Sequence, residues 1–153
     1  MANPSDRSMA ARQIRNTALG LTVRAEISQL LMLRTVAEAA AMVAGFVMDE
    51  VTDLRVALDE IATNLMVHAV PETEIRCEFT ADTAGMRVRV EGRCLVPDPI
   101  DQSDIGWQVL VASTDHIEIA CDAFDPESGG YPVTVFFTRA RLPTKPPRHT
   151  SKP

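Results

Sequence analysis

Lysine is almost missing from this chain of 153 residues: Lys145 and Lys152, both near the C-terminus, are the only two. No GxxxxGK[ST] segment exists, so a P-loop is excluded. No lysine is available on a strand for a eukaryotic-type protein kinase, nor in a core for Schiff-base chemistry. Aromatic residues make up 5% of the chain. The longest apolar stretch, Val36 to Met48, is 13 residues, contains Glu38 and is too short to span a bilayer. Cysteines number three, Cys77, Cys94 and Cys121, at spacings that fit no metal site and beside apolar residues, which reads as reduced packing thiols. The N-terminus has polar and charged residues where a signal peptide would be apolar. The reading is a cytoplasmic protein with no membrane association.

What is present is acidic. The net charge is −6, with +2 in residues 1–16 and +5 in residues 139–153, so the stretch between carries −13. Such a body disfavours direct nucleic-acid binding, which needs a basic face, and favours a basic partner. Residues 1–16 are expected to be a disordered arm, residues 17–141 the folded domain, and residues 142–153 a disordered, basic, proline-rich tail.

The periodicities predict the order β-α-α-β-β-α-β-β. Leu19, Leu21 and Val23 alternate in a first strand. A helix is expected from Glu26 to about Met48, with Gly45 either ending or kinking it. A second runs from Asp49 to Ala69, with Leu54, Leu58, Ile61 and Leu65 as one stripe. Ile75, Cys77 and Phe79, then Met86, Val88 and Val90, alternate through two strands joined at Asp82–Gly85. A short helix begins at Asp104, with Ile105, Val109 and Ala112 expected to face the core. Strands at Ile117–Cys121 and Tyr131–Thr138 complete the fold. The class is α+β: a two-layer sandwich, with a mixed, mostly antiparallel sheet of about five strands covered on one face by three helices.

Within the second helix, Glu60, Asn64 and His68 are spaced four and four, so they form a ridge along the flank of the apolar stripe. A carboxylate on such a ridge can act as a general base, and an amide oxygen four residues on can hold a hard cation such as Mg²⁺. Other groupings read as structural: Ser113, Asp115 and His116 as triad residue types without triad geometry, Asp98, Asp101 and Asp104 as a solvated acidic loop, and Trp107 as a packing anchor.

The segment Leu54–Ala69 resembles the N box of the GHKL (histidine-kinase-like) ATPases, an E-x-x-x-N followed by a histidine, matched by Glu60, Asn64 and His68. The chain is most similar to bacterial anti-sigma factors that are also serine protein kinases, the RsbW and SpoIIAB type. Its size, its element order, Leu33-Arg34-Thr35-Val36 and the Gly129-Gly130 turn extend the resemblance over about residues 17–140. The resemblance implies a Bergerat-like fold with ATP and Mg²⁺ as cofactors. Glu60 would be the catalytic base and Asn64 the metal ligand; His68, Glu91, Gly92 and Gly106 would line the nucleotide site. It also implies a sigma factor and an anti-anti-sigma factor as partners, with Arg34 as a partner contact and a homodimer permitted by the apolar first helix. The implied role is sequestration of a sigma factor, with release by the anti-anti-sigma protein and phosphorylation of that protein on serine.

The later boxes depart from the family pattern. Where D-x-G-x-G is expected, the chain reads Val90-Glu91-Gly92-Arg93-Cys94, so a valine replaces the adenine-recognising aspartate. In Ser103-Asp104-Ile105-Gly106-Trp107, an aspartate replaces a glycine near the expected phosphates, and residues 95–102 leave little for a lid. The resemblance leaves two readings, a serine kinase or a nucleotide-independent binding module with a degenerate ATP site; a third, outside it, is a stand-alone structural or metabolic α+β domain whose N box is chance.

Overall fold

The computed structural model describes residues 16–143. The expectations for an N-terminal arm and a basic tail fall outside the described residues, apart from Asn16, Leu142 and Pro143. The described elements are β1 (Thr17–Arg24), a 3₁₀ turn (Ile27–Gln29), α1 (Leu30–Val43), α2 (Met48–Val67), β2 (Glu74–Ala81), β3 (Gly85–Cys94), α3 (Ile105–Ser113), β4 (His116–Cys121) and β5 (Tyr131–Ala140). The strands form one sheet in the order β1-β2-β3-β5-β4. Every pairing is antiparallel, so the sheet is not mixed. β2–β3 and β4–β5 are joined by connections without a crossover, which suit antiparallel pairs.

Register explains which face is buried. One row across the sheet runs Leu21, Cys77, Val90, Val135, Ile119. The rows flanking it on the same face are Leu19, Phe79, Val88, Phe137, Ile117 on one side and Val23, Ile75, then Gly92, Val133, Cys121 on the other. This face packs against the helices. Side chains alternate across a strand, so the intervening rows carry Arg76, Glu78, Arg87, Arg89, Glu91 and Phe136 on the opposite face. There, ion pairs such as Arg89–Glu91 (2.6 Å) and Arg76–Glu78 (3.0 Å) lace the surface.

Gly45 ends α1 at φ 81°, the left-handed conformation that favours glycine. Its N–H donates to Met42 O and that of Phe46 to Ala41 O, closing the helix end. α2 then begins after extended Val47, with Asp49 and Glu50 favourably placed in its first turn. Its stripe of Leu54, Leu58, Ile61 and Leu65 is buried as expected. α3 departs from expectation: Gly106, Leu110 and Ser113 face inward, while Ile105, Val109 and Ala112 face out. Trp107 packs partly buried against the core, as an anchor should. Cys77 and Cys94 are buried thiols, but Cys121 is exposed on the outer strand β4. Among the described residues, no helix is long and apolar enough to cross a membrane.

Candidate functional site

α2 carries the ridge expected of Glu60, Asn64 and His68, and all three are half-buried. Asn64 Nδ2 donates to the Glu60 carbonyl (2.8 Å) and to Glu60 Oε1 (3.1 Å). The i, i+4 spacing on a helix brings the amide and the carboxylate together without tertiary help. His68 caps the C-terminus of α2, where its carbonyl accepts the Leu95 N–H (2.8 Å) and ties the helix to the end of β3.

α3 closes the other side. Gly106 is buried directly against the Glu60 carboxylate, and a Cβ there would overlap Oε1. Asp104 caps α3, its Oδ1 accepting the Ile105 N–H (2.6 Å). The aspartate that stands where the family pattern has glycine is therefore used as a helix cap.

β3 brings the expected base-recognition residues to two different faces. Val90 is fully buried between Cys77 and Val135 in the central apolar row. Gly92 lies on the same face, where a Cβ would sit 2.8 Å from Ile75 Cδ1. Cys94 Sγ donates to the Leu65 carbonyl of α2 (3.7 Å), and burial pushes its thiol up to about 11. Glu91 is not brought to this site: it points to the open face of the sheet and pairs with Arg89. Neighbouring strand residues point to opposite faces, so Glu91 cannot replace the acceptor missing at Val90.

Amide and carboxylate at Asn64 and Glu60 are the donor types that suit the metal–phosphate end of Mg-ATP. At the expected base end, β3 turns Val90 and Gly92 toward the helices, with Ile75 and Leu65 packed beside Gly92. The donor set thus fits one end of the nucleotide and not the other.

Arg34 lies on α1, where Nε donates to Asp59 Oδ1 on α2 (2.7 Å). That bond, and then the carboxylate's charge, raise the guanidinium above its ordinary value. Arg55 on α2 pairs with Glu38 on α1 (3.1 Å), so two crossed ion pairs bridge the helices. The pairing of Arg34 with Asp59, 25 residues away, has no signal in local spacing. A second charged junction also lies outside the sequence patterns: Arg139 on β5 reaches Asp53 of α2 (3.0 Å) and Asp115 (3.2 Å).

Two curated relatives, both named anti-sigma-F factor RsbW and from two strains of Mycobacterium tuberculosis, are 28% identical over 137 residues, covering 90% of this chain and 82% of each relative. A crystal structure of the RsbU and RsbW domains of a Mycobacterium tuberculosis protein shares the fold, with a TM-score of 0.61 at 17% identity over 83% of this chain. The chain spans 33% of that longer protein. The histidine kinase-like ATPase domain family matches residues 23–119, well over half the chain. With that match, an intact glutamate–asparagine pair on α2 and the antiparallel sheet behind it, this chain belongs to the histidine kinase-like ATPase domain family.

Proposed function

We propose that the protein is an anti-sigma regulatory factor that binds and sequesters a sigma factor and is released by an anti-anti-sigma protein. The observation that carries this reading is the 28% identity to proteins named anti-sigma-F factor over 90% of the chain. Charge supports it: the acidic body suits a basic partner surface. Arg34 is the proposed contact on α1, a helix that also exposes Leu31, Met32, Met42 and Val43. These apolar side chains support contacts with other proteins, a second copy of the chain included.

Sequestration requires the fold and a docking face, and it does not require a base pocket. The buried Val90 and the outward Glu91 therefore favour regulation by binding. A second reading, phosphorylation of the anti-anti-sigma protein on serine, is favoured by one observation, the Glu60–Asn64 pair. In that reading Asn64 would hold Mg²⁺ and Glu60 would sit beside the serine hydroxyl.

Co-purification of the tagged, folded protein with cognate sigma factors tests the main reading. One sigma factor should be retained, and Arg34→Ala should weaken it. Retention of none would reject the proposal. Calorimetry with Mg-ATP separates the two readings: heat that disappears in Asn64→Ala would support the kinase, and its absence at millimolar nucleotide the binding module.

A further inference from the structure

α3 is apolar on two sides and covered on one. Gly106, Leu110 and Ser113 turn inward, while Ile105, Val109 and Ala112, spaced i, i+4 and i+7, turn outward. Ile105 is 73% exposed and Val109 37%, and Val111, on another side of the helix, is 52% exposed. A helix apolar all round is ordinarily covered all round, so a one-sided cover leaves an unpartnered face.

The setting of that face is acidic. Residues 95–127 hold eight carboxylates and neither lysine nor arginine. Asp115, beyond the C-terminal end of α3, is already paired with Arg139. Asp98, Asp101 and Asp104, on the loop that enters the helix, have no ion pair among the described residues. Asp101 accepts the Ser103 N–H and hydroxyl, which hold its carboxyl below the usual range and keep it ionised. An apolar stripe thus ends in unpaired negative charge.

We propose that the outward face of α3 docks a basic amphipathic helix of a protein partner. The apolar side of that helix would lie on Ile105, Val109 and Ala112, with its cations toward Asp98, Asp101 and Asp104. This is helix-on-helix recognition through i, i+4, i+7 anchors, oriented by charge. The inference does not rest on the anti-sigma reading, because any partner with such a helix fits.

The test uses the full chain and two labelled synthetic peptides of about 18 residues, five helical turns. One is a leucine–lysine amphipathic helix; the other has glutamate at every lysine position. Fluorescence anisotropy should show the basic peptide binding and the acidic one not, with affinity falling as salt rises. The double variant Ile105→Ser/Val109→Ser leaves the inward Gly106, Leu110 and Ser113 in place and should keep the wild-type circular dichroism. It should bind the basic peptide at least about tenfold more weakly, as expected when central anchors are lost. Asp101→Asn, which spares the apolar stripe, should weaken the basic peptide and reduce the salt effect. Equal binding of both peptides, or undiminished binding by the double variant, would overturn the proposal. So would a wild-type dimer in sedimentation that the double variant makes monomeric, since a second copy would then occupy the face.

Discussion

Gly106 of α3 lies flush against the carboxylate of Glu60 on α2, so that a Cβ at this position would overlap Glu60 Oε1. The same oxygen accepts from Asn64 Nδ2. One carboxylate therefore links the glutamate–asparagine pair to the seating of α3. A glycine inside a nine-residue helix is costly in propensity, and here close approach explains it.

The contact is measurable as a coupling. Gly106→Ala should gain about 1 kcal/mol of helix propensity and lose a similar amount by displacing Glu60 from Asn64. In the wild-type background the two effects should nearly cancel. In a Glu60→Ala background the steric conflict is gone, and Gly106→Ala should stabilise by about 1 kcal/mol. A double-mutant cycle by urea denaturation should therefore give a coupling of roughly 1 kcal/mol. Additive effects would mean that Glu60 does not touch α3 in solution.

Val90 tests whether the base end has become core. Val90→Asp places the family's side chain in the central apolar row, between Cys77 and Val135. An unpaired carboxylate at such a site should cost about 3–5 kcal/mol. The variant should also gain no Mg-ATP-dependent rise in melting temperature. A stable Val90→Asp protein that ATP stabilises would show that a pocket opens beside β3.

The strands and the α2 stripe were legible because each has one buried face and a clean period. Ile75, Cys77, Phe79 and Leu54, Leu58, Ile61, Leu65 are all buried as their spacing implies. The Glu60–Asn64 pair was legible for the same reason, since i, i+4 neighbours meet on any helix. α3 was misread because IGWQVLVAS is apolar nearly all round, so two faces fit the period and only packing chooses. It chooses the face with Gly106, since only a glycine lets α3 approach Glu60. Pairs distant in sequence, Arg34–Asp59 and Arg139–Asp53, leave no local trace. The all-antiparallel sheet was also beyond reach, because β5 inserts between β3 and β4 and no local pattern encodes that order.

Glu50 holds the C-terminal end of the described chain to the start of α2. Its buried carboxylate accepts the Val47 N–H (2.8 Å) and the Leu142 N–H. Beside it, Arg141 donates to Ala44 O (2.8 Å) and to Asp82 O (3.0 Å) and stacks 4.0 Å over the Phe46 ring. Glu50→Ala removes the acceptor of two N–H groups on exposed residues and should cost about 1–3 kcal/mol, the ordinary net worth of two hydrogen bonds. Glu50→Gln keeps an acceptor oxygen and should cost less. Chemical denaturation of both variants checks the order, and equal stability of Glu50→Ala and wild type would show that the junction contributes nothing.

The buried thiols set the alkaline limit of stability. Burial pushes Cys77 from an ordinary 9.0 up to about 12, and Cys94 from 9.0 to about 11. In the unfolded chain both thiols lose their protons near 9, while in the folded chain they keep them. Above that pH the unfolded state binds fewer protons than the folded one, so stability must fall as pH rises. For Cys77 alone the slope should be about 1.4 kcal/mol per pH unit once pH exceeds its unfolded value. Below pH 9 the contribution is complete and flat. Cys77→Ala loses some packing at every pH, but it removes this titration. Urea midpoints measured with reductant between pH 8 and 10.5 should therefore converge: the wild type starts more stable, and its lead over Cys77→Ala shrinks as pH rises. A lead that stays constant across that range would mean that Cys77 is not held protonated by the core.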